Sequence, residues 1–280
     1  MLVAGRWSLV AALMHPILLK LGPVTLYAYG AMMVAAFLLV TFLSRRAARE
    51  LPPTFVAITP TQLVDFTCIA LLGGILGARA FFISLRWEDF LRVPAEIPAL
   101  WHGGLVWYGG FFGGLLGAWG YTRTQHLSFV RVMDQFMPFV ALGHAVGRIG
   151  CFLNGCCYGL PTQSWCGVIF PGHAEAVLPT QLFEAAGLLA LYATLRMLQR
   201  PGILQYPGRV FGAYLLGYGV LRLVMEYLRG DQTPIWIGLT LQQCISIAAM
   251  LVGALLLFRV SSFEFRVRRE RETRNAKPGT

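Results

Sequence analysis

The chain has 280 residues, 56% of them hydrophobic and only 13% charged, with a formal net charge of +10 and a mean hydropathy of +0.62. That balance excludes an ordinary soluble domain, in which about a quarter of the residues carry charge. The basic excess does not indicate nucleic-acid binding, because much of it lies in Arg266-Val-Arg-Arg-Glu-Arg-Glu-Thr-Arg near the C-terminus, a stretch suited to an anionic membrane surface.

Met1 to Leu13 holds Arg6 and a short apolar run without the small-residue cleavage site of a signal peptide, and Met14 is as plausible a start as Met1. Residues 1–23, ending in Lys20, Gly22 and Pro23, are expected to form a periplasmic or interfacial arm. Apolar stretches follow at 24–44, 62–85, 104–122, 129–154, 180–198, 209–228 and 238–258. Each is long enough to cross about 30 Å of hydrocarbon. They predict an all-α, polytopic integral membrane protein with seven transmembrane helices over residues 24–259. A periplasmic loop is expected at 155–179 and a basic cytoplasmic tail at 260–280.

Basic residues fix the expected orientation. Arg45, Arg46, Arg49, Arg123, Arg131, Arg196, Arg200, Arg209 and the Arg259–Lys277 tail fall on one side of this topology. Arg6, Lys20, Arg86, Arg92 and Arg229 fall on the other. The richer side is expected to be cytoplasmic, which puts the N-terminus outside.

Polar residues inside the spans then sort by depth. Tyr29, Arg79, Tyr108, Arg148, Asn154, Gln181, Glu184, Tyr218, Arg222, Glu226, Gln242 and Gln243 all fall in the expected outer half. Such a set implies a polar cavity, because isolated exposure to lipid is costly. Arg148 and Arg222 stand out: an intramembrane arginine costs roughly 3 kcal/mol or more, so it has a partner or a task. Two guanidinium groups cannot neutralise each other, so an anion or an acid such as Glu184 or Glu226 is required. The planar, forked donor set suits phosphate, and a phospholipid headgroup is the phosphate a membrane supplies. Arg222, Glu226 and Arg229 share a helix face by spacing. Arg79, near a span end, reads as a snorkelling side chain.

Gly73, Gly74 and Gly77 on the second stretch, and Gly109, Gly110, Gly113, Gly114 and Gly117 on the third, mark close helix contact. Gly147, Gly150, Gly155 and Gly159 bracket Arg148 and Asn154, where a broken helix could offer amides to an anion. Cys151, Cys156, Cys157 and Cys166 cluster around the outer loop, and a bridge from Cys156 or Cys157 to Cys166 is compatible with an oxidising compartment. Cys68 and Cys244 read as small core residues. No tetrahedral ligand set with histidine is evident, so neither metal nor other cofactor is expected. His102, His144 and His173 read as polar interface residues.

Gly147-Arg-Ile-Gly-Cys-Phe-Leu-Asn-Gly-Cys-Cys-Tyr-Gly159 resembles the signature of the bacterial prolipoprotein diacylglyceryl transferase family. Met14-His-Pro-Ile-Leu through Tyr29-Gly30, Gly103-Gly-Leu-Val-Trp-Tyr-Gly-Gly110, Pro179-Thr-Gln-Leu-Phe-Glu184 and the Tyr218–Arg229 block resemble four further family motifs, in order. The resemblance implies a seven-span inner-membrane enzyme that moves the diacylglyceryl group of phosphatidylglycerol to the lipobox cysteine of a prolipoprotein. The products it implies are a thioether and glycerol phosphate. It implies catalytic roles for Arg148 and Arg222, and headgroup-binding roles for these two with Tyr29, Asn154, Gly159, Tyr218, Glu226 and Arg229. Tyr108 stands where the family commonly has a histidine proposed as the base, and is a candidate for proton transfer or headgroup orientation. Cys151, Cys156 and Leu178 also depart from the usual Asn, acid and His. A related lipid transferase with another acceptor, a non-catalytic lipoprotein-binding paralogue and an anion or lipid transporter are the alternative readings. The transporter is disfavoured by the scarcity of polar residues in the inner halves of the spans.

Overall fold

The computed structural model describes residues 16–21, 24–51, 56–171, 174–200, 206–229 and 238–275. Residues 1–15 with both candidate starts, Gly22 and Pro23 of the arm, His173, and the tail beyond Asn275 lie outside them.

Seven long helices occur among the described residues, close to the seven apolar stretches. They are α1 (Ala28–Glu50), α2 (Pro60–Leu85), α4 (Trp107–Thr124), α5 (Phe129–Asn154), α6 (Thr180–Leu198), α7 (Arg209–Tyr227) and α8 (Leu241–Asn275); a short α3 (Trp87–Arg92) follows α2. Four of them, α1, α2, α5 and the Leu241–Arg259 part of α8, are long and apolar enough to cross a membrane. Gln181, Glu184 and Arg196 on α6, and Arg222 and Glu226 on α7, lower the hydropathy of those helices. Large apolar side chains such as Leu76, Leu116, Val224 and Leu255 remain exposed on several helices, as expected of surfaces facing lipid rather than water.

The all-α expectation needs one correction. Ile17–Leu21 and Val24–Tyr27 pair antiparallel as strands β1 and β2, so the first helix begins at Ala28 rather than near residue 24. The Gly-Pro dipeptide at 22–23, a turn signal, and the β-branched and aromatic run Val24-Thr-Leu-Tyr27 after it carry this hairpin signal.

By internal contacts the chain forms two compact units, residues 44–132 and the remainder. In the 44–132 unit, α2 opens with a capping box: Thr59 Oγ1 accepts from the Gln62 amide and Pro60 takes the first turn. Glycine faces bring α2 and α4 together. A Cβ on Gly113 would lie 2.2 Å from the Gly73 carbonyl oxygen, and one on Gly77 would lie 2.4 Å from that of Gly109. Only hydrogen at these positions permits the approach.

Arg79 does not snorkel. It is 7% exposed and donates to the carbonyls of Ile97 (3.0 Å), Gly103 (2.7 Å) and Glu96, with its guanidinium 5.3 Å from the Phe90 ring. The arginine is a staple for the segment between α3 and α4, giving the Ile97 and Gly103 carbonyls a charged donor.

In the other unit, α7 packs against both α6 and α8, around a core that includes Ala141, Ala145, Leu188, Leu195 and Val210. Asp134 of α5 is buried and accepts from the amides of Gly208 (2.5 Å) and Phe211 (2.7 Å). A carboxylate at the N-terminus of α7 is favoured by the helix dipole, and it sets α7 against α5. The loop after α5 has its own small core of Phe152, Val168, Phe170 and Val177. Cys68 is exposed rather than in the core.

Candidate active site

Arg148 lies on α5, Glu184 on the first turns of α6, and Arg222 with Glu226 on α7. The α6 and α7 glycines let these helices approach closely: Gly187 abuts Leu221, and Gly217 abuts Leu191. Arg148 Nη2 is 2.9 Å from Glu184 Oε1, with side chains 13% and 2% exposed. Arg222 Nη2 is 2.8 Å from Glu226 Oε2, with side chains 6% and 2% exposed. The latter pair is one helical turn apart, as the spacing predicts. Glu226 Oε1 also accepts from Thr240 Oγ1 at 2.5 Å, so the carboxylate is tied to the segment leading into α8.

Each guanidinium keeps one buried donor without a hydrogen-bond partner among the described residues, Nε of Arg148 and Nη1 of Arg222. Glu184 Oε1 and Glu226 Oε2 fall in the same class despite their short contacts to the arginines. Those contacts are charge pairs. The result is two compensated arginines, each retaining a free N–H. An unmatched buried donor costs about 1–3 kcal/mol, so it marks a place where an oxygen-rich anion would be welcome.

Tyr218, one turn before Arg222, hydrogen-bonds Arg148 and stacks on Tyr214 at 5.9 Å. His144, one turn before Arg148, has its ring 5.2 Å from that of Tyr218 and its Nε2 3.9 Å from Glu184 Oε1. Its side chain is 28% exposed, more than either arginine or either glutamate in the pairs. The sequence reading placed His144 as an interface residue. Its i−4 spacing from Arg148 was the signal that could have put it in the cluster.

Gly147 and Gly150 do not break α5. Added Cβ atoms there would meet Met33 Sδ at 3.7 Å and Met32 Cβ at 2.9 Å, so these glycines receive α1, and the helix runs intact to Asn154. The break comes at Gly155, with φ of +71°. Tyr29 lies beside Gly150, 42% exposed, and couples electrostatically to Arg148 and to Cys151, Cys156 and Cys157. Asn154 hydrogen-bonds the Cys156 side chain. Gly159 spends its amide on the Leu178 carbonyl at 2.8 Å, and a Cβ there would lie 2.6 Å from the Leu228 carbonyl oxygen. Its structural task is close packing of three segments. Arg229 follows α7 and acts on Cys157 through its charge. Tyr108 belongs to the 44–132 unit, at the start of α4, with its ring 5.3 Å from that of Trp107.

The bridge from Cys156 or Cys157 to Cys166, which an oxidising compartment would permit, is not made. All six cysteines are free, and Cys166 Sγ contacts Ser164 Oγ at 3.3 Å. Cys151, Cys156 and Cys157 instead converge, with all three Sγ atoms within 4.8 Å of one another. Hydrogen bonds from Cys151 and Cys156, with the charges of Arg229 and Arg148, hold the Cys157 thiol well below its ordinary pKa despite burial.

The family model for prolipoprotein diacylglyceryl transferase matches residues 16–259. A protein of Clostridium tetani is 30% identical over 256 residues, covering 89% of this chain and 99% of that protein. One of Methylococcus capsulatus is 34% identical, covering 86% and 94%. One of Aromatoleum aromaticum is 35% identical, with the same two coverages. All three relatives are named phosphatidylglycerol--prolipoprotein diacylglyceryl transferase.

Proposed function

The chain belongs to the prolipoprotein diacylglyceryl transferase family, and on that premise we propose that it transfers the diacylglyceryl group of phosphatidylglycerol to the lipobox cysteine of a prolipoprotein. The observation that carries the reading is the pair of buried, carboxylate-compensated arginines, each with one donor unpartnered among the described residues. The thiol sulfur attacks the glyceryl carbon that bears the phosphate. A carbon–sulfur bond forms, the carbon–oxygen bond to phosphate breaks, and glycerol phosphate leaves with the proton that the thiol gave up.

Arg148 and Arg222 bind the phosphoryl oxygens and hold them more tightly as negative charge gathers on the leaving oxygen, which lowers the barrier rather than only the dissociation constant. A peptide thiol, with an ordinary pKa of about 8.5, is mostly protonated at neutral pH and needs a base. Glu184 and Glu226 are committed to the arginines, so we assign proton acceptance to His144, the most exposed member of the cluster's charged and imidazole groups. Tyr218, Tyr29, Asn154, Glu226 and Arg229 shape the headgroup site, and Gly159 serves it through packing. Tyr108 enters on its motif alone, as a headgroup-orienting side chain.

The seven long helices span a bacterial inner membrane in this reading, with the N-terminus and the site on the periplasmic side and the C-terminus in the cytoplasm, an orientation that the arginine and lysine distribution supports. The signal peptide and lipobox of the prolipoprotein enter from the lipid, as does phosphatidylglycerol.

The test is incubation of the purified protein with phosphatidylglycerol vesicles and a lipobox peptide, read by mass spectrometry. The peptide should gain one diacylglyceryl mass on its cysteine while glycerol phosphate appears in equal amount. An unmodified peptide, or a gain that does not require phosphatidylglycerol, would overturn the assignment.

A further inference from the structure

We propose that Cys151, Cys156 and Cys157 form a binding site for one thiophilic d10 cation of the Cu(I) or Zn(II) class. The three sulfur atoms lie within 4.8 Å of one another and all three residues are half-buried. A metal with bonds of about 2.3 Å to three sulfurs holds them about 4 Å apart, so closure onto an ion asks each thiol to move by less than about 1 Å. A single disulfide would use two of these sulfurs and strand the third. Soft thiolates, with no carboxylate joining the cluster among the described residues, select this class of metal over magnesium, calcium or manganese.

The backbone is arranged to aim these thiols. After α5 ends, Gly155 turns the chain with φ of +71°, and Cys157 adopts φ of +64°. Among the described residues only His126 shares that left-handed region without being glycine. A left-handed non-glycine residue costs on the order of 1–3 kcal/mol and persists where its surroundings over-determine it. Here they do. The Cys156 amide donates to the Cys151 carbonyl at 3.1 Å. Gln181 Nε2 donates to the Cys156 carbonyl at 2.6 Å, and Thr180 Oγ1 to the Cys157 carbonyl at 3.0 Å. Thr180 and Gln181 are each 1% exposed, so the start of α6 grips both loop ligands from behind. Fixed outer contacts of this kind orient the direct ligands of metal sites.

Charge is compensated as well. Three thiolates around a monovalent or divalent cation carry a net negative charge, and Arg148 and Arg229 both act electrostatically on Cys157. Cys151 lies three residues beyond Arg148 on α5, so an occupied site would fix the end of the helix that presents this arginine. The inference carries no step of the transfer reaction and stands or falls apart from it.

The experiment titrates the reduced, detergent-purified full chain with Cd(II) as the probe, following the ultraviolet thiolate-to-metal charge-transfer band. One equivalent per chain should bind, and Zn(II) and Cu(I) should displace it. Cys151→Ser and Cys157→Ser should abolish the band, while Cys166→Ser and Cys244→Ser leave it unchanged. Thr180→Val, which removes the grip on the Cys157 carbonyl, should weaken binding about 10- to 100-fold. A second readout needs no variant: metal should protect Cys151, Cys156 and Cys157 of the wild-type chain, but not Cys166, from alkylation mapped by mass spectrometry. A missing band, a band that survives Cys157→Ser, or unprotected labelling of the three thiols would overturn the site. So would a disulfide among them in protein isolated without reductant.

Discussion

Arg148→Lys separates the two tasks of this arginine. In the structure Nη2 is spent on Glu184 at 2.9 Å, and Nε keeps a donor free. Lysine retains the charge, so Glu184 stays compensated, but a single ammonium cannot reproduce two donors in a fixed plane. The stability loss should be that of the hydrogen bond Arg148 makes with Tyr218, one to a charged group and so worth about 1.5–3 kcal/mol. The catalytic loss should be that of one donor to the developing phosphate charge, about 10²- to 10³-fold in kcat. Arg148→Ala is a poorer probe, because it leaves Glu184, with a side chain 2% exposed, charged and alone at a cost of about 3–5 kcal/mol. That is a large share of a typical stability of about 5–15 kcal/mol. The double variant Arg148→Gln with Glu184→Gln removes both charges and should refold what the alanine unfolds without restoring transfer. Thermal unfolding in detergent and diacylglyceryl transfer to a lipobox peptide would be measured on all three proteins. Wild-type kcat in Arg148→Lys, or transfer by the double glutamine variant, would reduce Arg148 to a structural partner of Glu184 and refute the reasoning.

His144→Gln should lower kcat by about 10²- to 10⁴-fold, the usual weight of a positioned base, while phosphatidylglycerol binding by the detergent-purified protein is retained; equal loss of both would assign His144 to headgroup binding. Tyr108→Phe, in contrast, should raise KM for phosphatidylglycerol more than it lowers kcat, and the reverse split would return proton transfer to that phenol. Gly113→Ala should destabilise by about 1–3 kcal/mol, since its Cβ would lie 2.2 Å from the Gly73 carbonyl oxygen. Gly120→Ala on the same helix meets nothing within 4 Å and should be neutral or stabilising by up to about 1 kcal/mol; unfolding midpoints in the opposite order would deny the glycine-faced packing of α2 on α4. Arg79→Gln should destabilise by about 1.5–3 kcal/mol, because the Ile97 and Gly103 carbonyls lose a charged donor, and an unchanged midpoint would make Arg79 dispensable.

How far the sequence could be read depended on what each feature rests on. Apolar runs of span length translate directly into helices because hydrocarbon demands that backbone groups bond within the segment. Pro60–Leu85 and Phe129–Asn154 accordingly fall within two residues of the stretches expected. Glycine spacing was equally direct on α2 and α4, where nothing but a missing Cβ is needed. It misled on α5, since Gly147 and Gly150 look the same in sequence whether they break a helix or receive α1. Arg79 was misread for a similar reason: its acceptors are carbonyls in a segment 17 to 25 residues away, and a carbonyl has no sequence signature. Of the four cysteines that position groups, Cys166 falls away, while Cys151 stays with Cys156 and Cys157 through the left-handed turn at Cys157. Dihedral choices of that kind are set by tertiary contacts, here Gln181 and Thr180, and not by local propensity.

The pairing of Arg148 with Glu184 and of Arg222 with Glu226 bears on how one site can be both tolerable in a membrane and ready for an anion. Two bare guanidinium groups in a low-dielectric interior would each carry a desolvation cost of several kcal/mol and would repel one another. A carboxylate on each removes most of both penalties, so the helices can close around the charges before any substrate arrives. Full satisfaction would then leave nothing to bind with. The geometry stops short of it: each arginine meets its glutamate through one Nη2 and keeps a separate donor unmatched. The stabilising contact and the binding contact therefore use different atoms of the same side chain. Arginine can divide its donors in this way and lysine cannot, which is why the residue type, and not only its charge, carries the functional reading.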